Sequence, residues 1–208
     1  MLANALSLVV LAGAAMASPC KPSTTTPSYS TTPTTSPSPT STAVGPNEPF
    51  GLMALRSASP IHFARFGAAL SSIFLNLPSQ NATCADPAAA DYATFTLSED
   101  GGLYLFSTSG PRQQLFVDRS GMGQGKLGYT TGDQPGPHYG ERTTFAVDET
   151  NHLSFNGAGF IACPNSIDGA WSVWVDSGFP NPGGNSDCLG LSALAVKITD
   201  SPNSCSYT

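Results

Sequence analysis

From Asn47 onward the chain is built of short apolar runs that alternate with polar residues and are broken by Gly, Asn, Asp and Ser. Alternation at period two sends successive side chains to opposite faces of an extended backbone, so these runs predict half-buried β-strands. One arrangement occurs three times. Met53 and Leu55 are followed by Ile61 and Phe63, Phe95 and Leu97 by Leu103 and Leu105, and Phe145 and Val147 by Leu153 and Phe155. Between the inner pairs lie polar, turn-forming segments (56–60, 98–102 and 148–152) of hairpin length. Repetition at offsets of 42 and 50 residues marks repeated supersecondary units.

Further strand-like runs follow each hairpin, at 72–77, 114–117, 126–130, 160–163 and 171–175, and a last run at 189–198 can close the sheet against the first. The expectation is an all-β domain over 47–208: a closed antiparallel, β-trefoil-like barrel of three hairpin repeats. A β-sandwich satisfies the same alternation. Closure removes exposed strand edges, a hazard for a chain with so few charges. Phe95, Phe145, Phe155, Trp171 and Val173 lead the expected core.

The first 46 residues read differently. Residues 1–17 form a short apolar run centred on Leu6, Leu8, Val9, Val10 and Leu11, ending in Ala15-Met16-Ala17. That is a secretory leader with a small-x-small cleavage site, too short to span a bilayer and predicting Ser18 as the mature start. Residues 18–46 are dominated by Ser, Thr and Pro. They offer too little apolar surface to offset the entropy of ordering, which predicts a disordered, O-glycosylated stalk. Asn81-Ala82-Thr83 is an N-glycosylation acceptor for the same compartment.

Charge narrows the partners. The net charge is −6 with eight Lys plus Arg, and charged residues make up 11% of the chain. Nucleic acids and anionic membranes both demand a basic face, so neither is an expected partner. No other apolar run reaches spanning length, so no membrane contact is expected once the leader is removed. Cys20, Cys84, Cys163, Cys188 and Cys205 are the disulfide candidates, and an odd number leaves one over. If 189–198 is one straight strand, it carries the chain about 30 Å from Cys188. The seven residues to Cys205 then return at most about 25 Å. The Cys188–Cys205 pair is therefore disfavoured, and Cys20 or Cys205 is the candidate free thiol.

Candidate chemistry is sparse. His62 alternates away from the face that Ile61 and Phe63 bury; His138 lies in a Gly/Pro-rich loop; His152 ends a turn beside Asp148 and Glu149. No nucleophile elbow, zinc motif or Cys/His cluster is present, so no catalytic residue, metal or cofactor is expected. The glycine-rich run before Lys126 lacks the Ser or Thr and the helix of a phosphate loop; it reads as a tight turn between strands. Asp118, Asp133, Glu141, Asp148 and Asp176 supply carboxylates for a glycosidase, the least favoured reading. Tyr104, Tyr129, Tyr139 and Trp174 offer flat amphipathic rings for stacking on sugars. Trp174 faces away from Trp171, Val173 and Val175, which makes it the most interesting ring.

Five segments carry a resemblance: 116–131 (FVDRSGMGQGKLGYTT), 161–174 (IACPNSIDGAWSVW), 79–84 (SQNATC), 184–190 (GNSDCLG) and 202–207 (PNSCSY). Together they resemble the PhiA family of secreted fungal cell-wall proteins, over about 49–208. The resemblance implies a mannoprotein-like wall component needed for phialide and conidium development, with some members known as IgE-binding allergens. It implies no catalytic residues. The Ser/Thr/Pro segment is a departure, since similar chains run almost directly from the first Cys into the domain. The expected function is thus a secreted, non-enzymatic wall glycoprotein whose partners are wall polysaccharide or mannoprotein. The alternative is a lectin-like module for wall polysaccharide.

Overall fold

The structure, a computed structural model, describes residues 43–87 and 91–208. The leader expected at 1–17, Cys20 and the Ser/Thr/Pro segment as far as residue 42 lie outside the described residues. Near the end of that segment Val44 packs against the core, and its N–H donates to Asn151 Oδ1 at 3.2 Å.

The described residues form fifteen strands: β1 (Phe50–Leu55), β2 (Phe66–Ala69), β3 (Ser72–Leu75), β4 (Ala82–Cys84), β5 (Thr94–Leu97), β6 (Leu103–Leu105), β7 (Gln113–Asp118), β8 (Lys126–Thr131), β9 (Gly140–Glu141), β10 (Phe145–Val147), β11 (His152–Phe155), β12 (Phe160–Cys163), β13 (Trp171–Val175), β14 (Leu189–Lys197) and β15 (Cys205–Tyr207). Every pairing between them is antiparallel. Nine form a closed ring in the order β1-β5-β6-β7-β8-β3-β13-β12-β14, with β14 returning to β1. The closing pair runs in register from Phe50↔Lys197 to Leu55↔Ser192. The last run does close against the first, as its length and position predict. A β-sandwich is thereby set aside.

The threefold, trefoil-like repeat is not confirmed. The second and third units form hairpins in the register their spacing implies, Phe95↔Leu105 to Leu97↔Leu103 and Phe145↔Phe155 to Val147↔Leu153. The first unit does not. After β1 the chain folds into turns through 57–63, and only a single bridge, Met53↔Arg65, returns to the strand. The reason is local: Ala58 and Phe63 adopt positive φ, which breaks strand geometry, while Ile61 is pulled into the core. The two real hairpins also occupy different places. β5–β6 belongs to the ring, whereas β10–β11 hangs from β14 outside it.

Alternation fills the barrel. Leu103 and Leu105, Leu115 and Val117, Leu127 and Tyr129, Val173 and Val175, and Ala193 and Ala195 all point inward at period two and are buried. They join Phe50, Phe66, Phe95, Phe155 and Phe160 in one continuous core. Trp171 is half-buried and packs against that core. Such packing leaves the interior closed rather than channel-like.

One end is tied by the C-terminal strand. β15 pairs with β4, and Cys205 is bonded to Cys84 across that pair. Cys163, on β12, is bonded to Cys188, just before β14. Cys205 as a free thiol is corrected by this pairing: after β14 the tail turns back toward β4, away from Cys188. The disfavoured Cys188–Cys205 bond is not formed. A link that closes a loop of 121 residues restricts the unfolded chain by about 4–5 kcal/mol in the chain-entropy account.

Beside it lies the most buried polar network. Gln113 is 1% exposed; its side chain accepts from the Tyr207 N–H at 2.8 Å and donates to the Tyr207 carbonyl at 2.6 Å. Gln113→Leu keeps the volume but strands both backbone groups, each worth about 1–3 kcal/mol. Denaturant titration should show a loss in that range or somewhat above it. Hydrogen exchange should show 205–207 opening first; unchanged protection there would contradict the assignment.

Tyr129 and Tyr207 flank this network, and burial pushes both phenols up to about 12. The unfolded chain ionises them near 10, so folding holds their protons through that interval. The contribution is fully present below pH 10 and is lost as pH rises toward 12. Unfolding free energy should therefore fall over this window. Tyr129→Phe should flatten the fall, and ultraviolet phenolate titration should find late-titrating tyrosines.

Candidate functional site

The residues of β7, β8 and β13 that do not face the core meet on the outer wall. Register places Asp118 opposite Lys126 and Lys126 opposite Trp174, so the three side chains lie in a row across adjacent strands. One step along, Phe116 faces Gly128, where its ring closes over the missing side chain. The loop from β7 to β8 and the segment leading into β9 rise on either side. The result is a groove of about 340 Å³ lined by Phe116, Asp118, Met122, Lys126, Pro137 and Trp174. A neighbouring hollow holds Arg119, Ser120, His138, Tyr139 and Glu141.

The loop over 118–126 has a defined shape, and it is a turn between strands, as its glycines predict. Gly125 sits at φ +92°, and a Cβ there would collide with the Val175 carbonyl oxygen. Its own N–H donates to the Asp118 carbonyl at 2.8 Å, and its carbonyl accepts from the Val175 N–H at 2.8 Å. The loop is thus fastened to β13. Met122, at its tip, is 95% exposed.

Trp174 is held on three sides. Its indole N–H donates to Ser172 Oγ at 3.0 Å. Lys126 Nζ lies 5.3 Å from the ring centroid, within cation–π range. Gly183 abuts the ring edge, and its N–H donates to Gln124 Oε1 at 2.7 Å. A ring fixed in advance loses little freedom when a ligand stacks on it. Burial lowers the Lys126 ammonium from its ordinary value, and Nζ donates to Ser72 Oγ at 2.9 Å.

The other rings proposed for sugar stacking are dispersed. Tyr139 is exposed, edge-on to His138 at 4.5 Å, in the neighbouring hollow. Tyr104 lies on the outer face of β6 with the Arg112 guanidinium 4.1 Å over its ring, and it does not line the groove. Tyr129 is corrected to a core residue. It is 1% exposed, shares its strand face with Leu127, and donates its hydroxyl to the Thr208 carbonyl at 3.2 Å. The alternation of β8 already carried that signal. Phe116, Met122 and Pro137 were not singled out, because only the folded chain brings those three segments together.

The titratable groups are engaged structurally. Arg119 and Glu141 form a two-point ion pair at 2.8 and 2.6 Å, and the guanidinium holds the Glu141 carboxyl below its usual range. Asp148 accepts from Thr150 and His152, and those bonds lower it as well. Asp118 accepts the Ser120 N–H, and Asp176 the Gly178 N–H, both at 3.0 Å. His62 Nδ1 accepts the Arg56 N–H. Among the described residues, no group of three or more His, Cys, Asp or Glu is placed to hold a metal ion.

Every residue of the groove lies within 50–208, the span over which the chain matches the PhiA-like secreted protein family. The chain belongs to that family. Its relatives include the cell wall protein phiA of Aspergillus fumigatus, 54% identical over 162 residues that cover 78% of this chain and 86% of that protein. The Aspergillus niger protein of the same name is also 54% identical, with the same coverage. That of Arthroderma benhamiae is 41% identical over 174 residues, covering 80% of this chain and 91% of the relative. No solved structure matches the chain. As a PhiA-like protein the chain is secreted and located in the fungal cell wall, which bears out the compartment predicted from its leader.

Gly183 tests how Trp174 is held. At φ +66°, a Cβ would stand 2.6 Å from Trp174 Cη2. Gly183→Ala should cost roughly 1–2 kcal/mol for the left-handed backbone and also shift tryptophan emission by displacing the ring. Gly184→Ala, at φ +75° with open space around it, should show the first effect without the second.

Proposed function

We propose that this PhiA-like protein is a non-enzymatic structural glycoprotein of the fungal wall, acting in wall architecture during phialide and conidium development. The observation that carries the reading is the closed barrel packed solid with side chains, a scaffold with a filled interior. The carboxyls support it too. Glu48, Asp100, Glu141 and Asp148 are all shifted downward by hydrogen bonds, whereas a glycosidase acid needs its pKa raised by apolar surroundings. Asn81 is exposed immediately before β4, beside the Cys84–Cys205 bond, and is the position for an N-glycan.

A second reading, binding of wall polysaccharide, is favoured by one observation: Trp174 is preorganised in an open groove with apolar walls. The two readings are compatible, since a scaffold is retained in a polysaccharide matrix by recognising it.

Fractionation of conidiating cultures should recover the protein in the wall, and incubation with glucan, chitin and mannan should release no new reducing ends. Turnover that disappears on changing one carboxylate would replace the structural reading with an enzymatic one. In pull-downs on insoluble polysaccharide, Trp174→Ala should lose most of the retained protein. Equal retention of both forms would remove the binding role from this groove.

A further inference from the structure

The groove contains a cation whose charge no carboxylate answers. Of the described cations, Arg119 is paired with Glu141, and Lys197 with Glu48 at 2.9 Å. Arg56 donates to the Gly190 carbonyl, Arg142 donates to Gln114 Oε1 and Thr130 Oγ1, and Arg65 and Arg112 lie over the rings of Tyr92 and Tyr104. Lys126 is the one of these cations that lines the groove. It is half-buried, its ammonium gives one of three N–H donors to Ser72 Oγ, and it makes no ion pair among the described residues. Its cross-strand neighbour Asp118 is near enough in register to pair with it. Instead the Asp118 carboxylate turns into its own loop, against Gly123 and onto the Ser120 N–H. The lysine leans the other way, toward β3 and β13, and lies over Trp174.

We propose that the Trp174–Lys126 groove is a subsite for a sugar bearing an acid group, a carboxylate or a phosphate, with the ring stacked on the indole and the anionic oxygen on Lys126 Nζ. This rests on the carbohydrate-binding reading above and names its ligand class. The geometry separates the two contacts as such a sugar does. Trp174, with its N–H already satisfied by Ser172, offers only ring surface, whereas the neighbouring ammonium offers its unused donors. A charge-assisted hydrogen bond is about twice as strong as a neutral one, and desolvation on ligand entry strengthens it further. The volume, about 340 Å³, is that of a small-ligand cleft. The overall charge of −6 does not forbid it, because charges beyond about 8 Å are screened at physiological salt and Lys126 acts at contact. The same net charge excludes long polyanions, which would meet the acidic remainder of the surface. A short acidic sugar is the occupant that fits both facts.

The test is calorimetric titration of the secreted full chain with three probes: a galacturonate trisaccharide, a mannose oligosaccharide carrying a 6-phosphate, and neutral mannotriose. Binding of one or both acidic probes, with mannotriose weaker by roughly tenfold to a hundredfold, supports the proposal. Which acidic probe binds identifies the acid. Lys126→Arg should keep that preference. Lys126→Met, which preserves the stem over Trp174, should erase it and leave only the weak neutral binding. Unchanged near-ultraviolet circular dichroism would show that both variants keep the fold. Equal binding of neutral and acidic probes, insensitive to Lys126→Met but lost in Trp174→Ala, overturns the acidic subsite and leaves carbohydrate binding standing. Binding of none of the probes overturns the acidic subsite. If insoluble glucan, chitin and mannan are also not retained, the carbohydrate-binding reading falls with it.

Discussion

Pairing of β1 with β14 is the constraint on which the other features depend. Without it the ring of nine strands is an open sheet with two long edges, each presenting unpaired backbone groups to other chains. A protein with so few surface charges has little electrostatic repulsion to guard such edges. With six residues of β14 matched to six of β1, the edges vanish and period-two alternation acquires a single meaning. In strands such as β6, β11 and β14 one parity is core and the other outer surface, whereas β2 and β12 are buried on both faces.

That division explains the two ends of the molecule's chemistry. Inside, apolar side chains dominate, and two of the polar side chains are held by the tail: Gln113 by Tyr207, Tyr129 by Thr208. The C-terminal strand is therefore a structural part of the barrel end, and the Cys84–Cys205 bond fixes it where the network needs it. Outside, the second parity of β7, β8 and β13 sets Asp118, Lys126 and Trp174 side by side. Two glycine-containing loops then turn that row into a groove, one across the top and one against the indole edge.

These features suit a protein of the cell wall. A scaffold that must persist outside the cell gains from cross-links and a dry core, neither of which depends on cellular maintenance. The polysaccharide binding proposed for it rests on a few rings and cations held on the outer face of the barrel. Rigidity matters there, because a surface that binds sugars through few contacts has little energy to spend on ordering itself.

Much of this was legible in the chain. The all-β class, two of the three hairpins, the closing role of 189–198, the shared face of Val173 and Val175 and the opposite orientation of Trp174 all follow from period two, a property of neighbours along the backbone. The improbability of a Cys188–Cys205 bond follows from chain reach once 189–198 is read as one straight strand. What period two could not reveal was the fate of Ile61, whose strand-like spacing is overridden by a turn that buries it, or the non-equivalence of the hairpins. Nor could it place Lys126 beside Trp174 and away from Asp118, since 48 residues separate the first two. Local patterning fixes which face a side chain takes; which strand lies next to it is decided by closure of the whole ring, a cooperative event that no single segment encodes.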